Sequence, residues 1–210
     1  EWFNISTDNR KKLVAEIQIN NSSTFLAGGK TFNFSPGITY KPTNNLVLSV
    51  SPSFMKSFDE MQYVDQTSFE SQDRYIFASI DQKVLSMSLR VNFNLTPDLT
   101  LQYWGQPFIA SGKYYDFKYI TKEMASDYHD RFSTFTSAQS KLENDEYSID
   151  EDIDGTPDYT IGKPDFNVQE FLSNMVIRWE YNPGSSVYLV WSQTRSGYNS
   201  SGIMDFSNNV

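Results

Sequence analysis

The 210-residue sequence has no cysteine and a single histidine, His129. Disulfides, thiolate metal sites and histidine-pair metal sites are therefore excluded. No run approaches the roughly 20 apolar residues that a membrane-spanning helix needs. Mean hydropathy is −0.51, yet this does not count against a β-barrel, whose strands are only half apolar and whose loops are polar. Basic residues are also scarce, 17 against 26 acidic, for a net charge of −9. That disfavours nucleic acid as a partner, which wants a basic stripe. An acidic surface suits divalent cations or basic partners, and it also serves plain solubility.

Catalytic constellations are missing as well. There is no G-x-S-x-G, no glycine-rich phosphate loop, and His129 lies alone in Asp127-Tyr128-His129-Asp130. Acidic pairs are plentiful, but they fall on a low-hydrophobicity run, Glu143 to Asp158. Such a run lacks the fixed carboxylate separation that glycoside hydrolysis requires. The sequence gives no support to an enzyme.

What the chain has in abundance is alternation. The clearest stretch is Asn174 to Thr194, two strands joined by a turn at Asn182-Pro183-Gly184-Ser185. Met175, Ile177, Trp179 and Tyr181 share one face of the first strand, and Asn174, Arg178 and Glu180 share the other. Between Val84 and Asn94, Leu85, Met87, Leu89, Val91 and Phe93 oppose Ser86, Ser88, Arg90, Asn92 and Asn94. Leu99, Leu101 and Tyr103 repeat the pattern, as do Leu13 to Asn20, Phe32 to Tyr40 and Leu46 to Phe54. Pro36 weakens the third of these, because proline cannot donate to a ladder.

Short turns fall near residues 8, 43, 97 and 183, and longer connections are expected near 25, 65 and 140. Lys56 to Arg74 reads as a polar loop, with strand extensions around Tyr63. Ser111 to Gln169 reads as one long insertion, where Phe117, Ile120, Met124 and Tyr128 fall at the spacing of a short amphipathic helix. The expected fold is all-β: one domain over residues 1–210, an antiparallel up-and-down meander of about eight strands, forming part of a transmembrane β-barrel. Leu85, Met87, Leu89, Leu101, Ile177 and Leu189 would then face lipid. Tyr40, Phe93, Trp179 and Tyr181, close to the short turns, would form an interfacial girdle. The alternative is a soluble sandwich with those rings in its core.

Two residue sets are candidates for chemistry. Glu16, Arg90, Gln102, Arg178 and Glu180 lie on the polar strand faces, where a barrel would turn them to its lumen and use their charge to shape passage. Mutual pairing that braces the interior is the competing role. In Asp150-Glu151-Asp152-Ile153-Asp154-Gly155, carboxylates recur at every second position before a glycine, and Asp158 follows. Hard cations take oxygen ligands at this spacing, so Asp150, Asp152, Asp154 and Asp158 are candidate Ca²⁺ ligands. Ile161 stands where an EF-hand has its bidentate glutamate, which excludes that motif.

LTLQYWGQPFIASGKY (Leu99–Tyr114), PDFNVQEFLSN (Pro164–Asn174) and RWEYNPGSSVYLVWSQ (Arg178–Gln193) resemble, in order, uncharacterised Bacteroidota-type envelope proteins. Those proteins join an N-terminal carbohydrate-binding-family-9-like domain to a C-terminal outer-membrane barrel. The resemblance covers the second half of the chain and implies an outer-membrane location. No N-terminal domain of that kind and no closing strand with a terminal aromatic is recognisable here. The chain is therefore expected to be a segment of a longer barrel protein. Two functions are consistent with this: solute passage or membership of an envelope transport or assembly complex, or a surface β-domain that binds glycans with Ca²⁺ on the acidic loop. The partners implied are outer-membrane lipid, other envelope proteins and carbohydrate.

Overall fold

The structure is a computed structural model that describes residues 1–24 and 28–204. Strands β1 (Trp2–Ser6), β2 (Leu13–Ser23), β3 (Lys30–Thr43), β4 (Leu46–Phe69), β5 (Gln72–Thr96) and β6 (Leu99–Ile120) follow one another as antiparallel neighbours. The chain then forms β7 (Phe132–Thr134), which pairs with β6, and a separate three-stranded sheet of β8 (Ser140–Glu143), β9 (Glu146–Ile149) and β10 (Tyr159–Gly162). It returns beside β6 as β11 (Phe166–Asn182) and ends the sheet with β12 (Ser185–Asn199). The expected eight-strand meander is present. Its two edges, β1 and β12, do not pair with each other among the described residues, so the sheet is open rather than a closed barrel.

The short turns gather at one end. The Lys41 amide donates to the Lys12 carbonyl at 2.6 Å, Asn94 to Asn45 at 2.8 Å, and Glu180 to Asp98 at 2.8 Å. Each bond ties neighbouring turns together, so the turns at Asn44, Pro97 and Pro183 share a rim. Pro36 does lie within a strand. It faces Pro52 across β3 and β4, where pairing lapses between Phe34–Phe54 and Ile38–Val50. Two residues without N–H groups thus share one gap in the ladder.

Cross-strand register assigns the faces. One row runs Leu13, Tyr40, Leu48, Val91, Tyr103, Met175, Trp191; a neighbouring one runs Leu46, Phe93, Leu101, Ile177, Leu189. Leu85, Met87, Leu89, Leu101 and Ile177 are half-buried and Leu189 is 59% exposed. No second layer covers this apolar face among the described residues. Gly105 interrupts it for a local reason: a Cβ there would meet the Tyr103 hydroxyl at 2.8 Å, because that ring leans along its own strand.

Three expectations fail. Lys56 to Arg74 is not a loop: β4 and β5 continue through it as 24- and 25-residue strands and turn at Glu70-Ser71. Both turn residues have positive φ, 50° and 61°, as a two-residue hairpin demands. At about 3.3 Å per residue, β5 is roughly 80 Å long. No helix covers Phe117 to Tyr128 either. Phe117 and Ile120 belong to β6, and only a 3-10 turn, His129–Arg131, is helical there. The insertion is correspondingly shorter than Ser111–Gln169, since β6 runs to Ile120 and β11 starts at Phe166.

A bulge resets the faces near the end of β6. Phe77 pairs with Lys118 but Ser79 with Tyr115, so β6 carries an extra residue there, and Asp116 sits at φ 50°. The bulge turns Phe117 and Tyr119 to the face of Ile76. The core forms at this end, on the same face of β5 as Arg90. Ile76, Ala78 and Phe117 pack against Phe135, Ile149 and Ile161 of the connecting segment. Phe117 and Tyr147 ring centroids are 4.4 Å apart, and Tyr119 stacks on Phe135 at 5.0 Å.

Candidate functional site

Register places Glu16, Arg90, Gln102, Arg178 and Glu180 on one face, opposite the apolar rows. Serine and threonine fill the space between them: Ser35 to Ser53 at 2.8 Å and Thr39 to Ser49 at 3.1 Å. Of the five, the structure joins only two. Arg178 Nη2 donates to Glu180 Oε2 at 2.6 Å, and Glu180 Oε1 accepts the Gly184 amide at 3.1 Å. This pair braces the β11–β12 turn. Glu16 accepts from Gln18 at 2.6 Å, while Arg90 and Gln102 are exposed on the polar face.

The acidic loop folds on itself. Carboxylate oxygens of Asp150, Asp152 and Asp158 lie within 4.8 Å of one another. Asp154 does not join them; its Oδ1 accepts the Thr156 amide at 2.7 Å. Asp150 accepts the amides of Asp154 and Gly155 at 3.0 and 2.9 Å, and Asp158 accepts that of Glu151 at 2.7 Å. Gly155, at φ 93°, permits the reversal. The Asp154 amide lowers the Asp152 carboxyl, but lost solvation and the charges of Asp154, Asp158 and Asp150 together hold it above its usual value. Three all-oxygen ligands crowded this way have the donor chemistry of a calcium site.

A third group was not anticipated from the sequence. Arg74 at the tip of β5 reaches Glu151, Nε to Oε1 at 3.1 Å, with both side chains mostly buried. Tyr159 donates to the other carboxylate oxygen at 2.8 Å, and Gln139 Nε2 donates to the Glu151 carbonyl at 2.8 Å. The guanidinium also lies over Phe69 and Tyr119, 5.5 and 5.6 Å from their centroids. Burial, then the Glu151 hydrogen bond and charge, drive the Tyr159 phenol far above its usual value. Nothing local marks these residues: Arg74 and Glu151 alone stand 77 positions apart.

Beside them opens a groove of about 760 Å³, bounded by Arg74, Tyr75, Tyr119, Lys122, Glu123 and Glu151. A smaller, more apolar one adjoins it between Phe77, Tyr128 and Phe132.

Residues 1–210 match the family described as a domain of unknown function, DUF5916. The chain belongs to that family. No curated protein and no solved structure matches it. DUF5916 is thus represented here by an open antiparallel meander whose long hairpin and connecting segment form a small core at one end.

Proposed function

We propose that this DUF5916 chain is part of a bacterial outer-membrane β-barrel, serving solute passage or acting as a subunit of an envelope transport or assembly complex. The observation that carries the proposal is the uncovered apolar face. On β4 it runs from Leu46 to Phe54 and on β5 from Leu85 to Phe93, nine residues each. Nine residues span about 30 Å along a strand and roughly 21 Å at 45° tilt, near the ~25 Å lipid-facing band of such barrels. A soluble sandwich would cover these rows with a second sheet. The resemblance to Bacteroidota-type envelope proteins points to the same location, with outer-membrane lipid as the first partner.

On this reading the face of Arg90 and Gln102 lines the interior, and the connecting segment folds over its far end. Closure requires partners for the free edges of β1 and β12. The competing reading, a surface domain that binds glycans with Ca²⁺ on the Asp150–Asp158 loop, draws on the open groove and the converging carboxylates. One experiment separates them, helped by the absence of cysteine from these 210 residues. Met87→Cys and Ser88→Cys are adjacent and point to opposite faces. In intact membranes a water-soluble maleimide is expected to spare Met87→Cys and label Ser88→Cys, with Met87→Cys reacting after detergent extraction. A protein found in the soluble fraction, with both cysteines reactive, would sink the membrane reading.

A further inference from the structure

The apolar rows end in an abrupt change of charge. Two residues beyond Phe54 and Leu85, on the same face, stand Lys56 and Lys83, which are Cα partners across β4 and β5. The next row holds Lys30, Phe58, Asp81 and Lys113. Four lysines on four adjacent strands therefore occupy two consecutive rows, about 7 Å apart. All four are exposed, and none forms an ion pair among the described residues. Asp81 is the single carboxylate within the two rows.

This concentration runs against a chain with 26 acidic and 17 basic residues. It also opposes sheet energetics, since like charges directly across a ladder are destabilising. An anion lying between Lys56 and Lys83 removes that penalty. The opposite rim is different: Lys12 donates to the Pro42 carbonyl at 3.3 Å and Lys41 to the Asn9 carbonyl at 3.1 Å. There the ammonium groups close the turns. At the Lys56–Lys83 border they are free, and the lysine stems can lie along the apolar rows with their heads at the polar edge.

We propose that this patch binds the phosphates of a membrane amphiphile, a phosphorylated glycolipid of the lipid A type whose acyl chains lie on the apolar rows. The inference rests on the membrane reading above. A free phosphate would need no such border, whereas a lipid headgroup places its charge where an apolar face ends.

The test uses the full-length protein in detergent micelles, with lipid binding counted by native mass spectrometry. Diphosphorylated lipid A is compared with its dephosphorylated form, in wild type, in Lys56→Gln/Lys83→Gln, and in Lys141→Gln on the exposed β8 as control. Glutamine keeps the stem and removes the repulsion, so the double variant should fold. Wild type and control should prefer the phosphorylated lipid, and affinity should fall about fivefold per lysine removed. Equal binding of both lipids, or an unchanged double variant, would overturn the proposal. Full displacement by inorganic phosphate at millimolar levels would also overturn it, leaving an anion site without a lipid. Membrane flotation is read separately: a protein that fails to float defeats the membrane reading itself, and the lipid site with it.

Discussion

Arg74, Glu151 and Tyr159 hold the connecting segment to the hairpin through one mostly buried carboxylate. Removing one partner of a buried pair strands the other charge, so Glu151→Ala should cost about 3 kcal/mol. The loss should be local: amide exchange should quicken across Ser140–Gly162 and stay unchanged in β2 and β3. The double change Arg74→Met/Glu151→Leu leaves no stranded charge and should cost less than Glu151→Ala alone. Alkali acts on the same lock. The Tyr159 phenol titrates higher in the folded protein than its usual value of 10.0. Its contribution is therefore complete below pH 10 and fades as the pH climbs beyond, because only the unfolded chain can then release the proton. Alkaline unfolding of the segment, followed by tyrosine absorbance, should shift upward in Tyr159→Phe. Asp152 has the same sign at a lower pH: raised by its neighbours, it weakens the loop once ionised. Asp152→Asn keeps an acceptor for the Asp154 amide and drops the charge, so protease should cut residues 150–159 more slowly. Added calcium should protect wild type in the same way, magnesium less so. Unchanged cleavage on adding calcium leaves the loop as solvated surface.

Elements were legible in the sequence wherever one face met one environment. From Leu85 to Phe93 the side chains on one face are apolar and those on the other polar, and the period of two is plain. Beyond Lys56 and Lys83 that contrast dissolves. The face of Leu85 turns to Lys, Asp and Tyr, while the face of Arg90 gains Ile76, Ala78 and Ile80 for the core. A strand with mixed faces reads as a loop, which is why Lys56 to Arg74 hid a hairpin. The end of β6 did further harm: it carries apolar residues on both faces, Phe117 and Tyr119 on one and Ile120 on the other, and Phe117 with Ile120 then reads as a helical period. The acidic loop was visible because its ligands are neighbours in sequence. The Arg74 lock was not, because folding alone brings its members together. The hidden hairpin carries its own test. Glu70 and Ser71 hold positive φ without being glycine or asparagine, a conformation that costs ordinary residues about 1–2 kcal/mol. Glu70→Asn/Ser71→Gly should stabilise the hairpin by about 1 kcal/mol and raise the thermal midpoint. A flexible loop at this place would gain nothing.

For the whole molecule, the question is what solvent the apolar face meets. The sheet separates two chemistries across its thickness: aliphatic and aromatic rows on one face, hydroxyls with Arg90, Gln102 and the Arg178–Glu180 pair on the other. Adjacent residues sample the two sides at one depth, and Leu89 and Arg90 do so near the middle of the apolar stretch. In a bilayer, Leu89→Arg puts a guanidinium into hydrocarbon and should cost about 2–4 kcal/mol. Arg90→Leu, on the hydroxyl-lined side, should change little, since its side chain is exposed and without an ion pair among the described residues. In water the order changes. A half-buried leucine on an open sheet loses only part of its transfer free energy on replacement, about 1 kcal/mol, and its exposed tip hydrates the new charge. Urea unfolding of both variants in lipid vesicles therefore reads the environment directly. A large loss for Leu89→Arg beside a small one for Arg90→Leu places the apolar face in lipid. Equal, small losses would mean that water reaches both faces and that the meander belongs to a soluble protein.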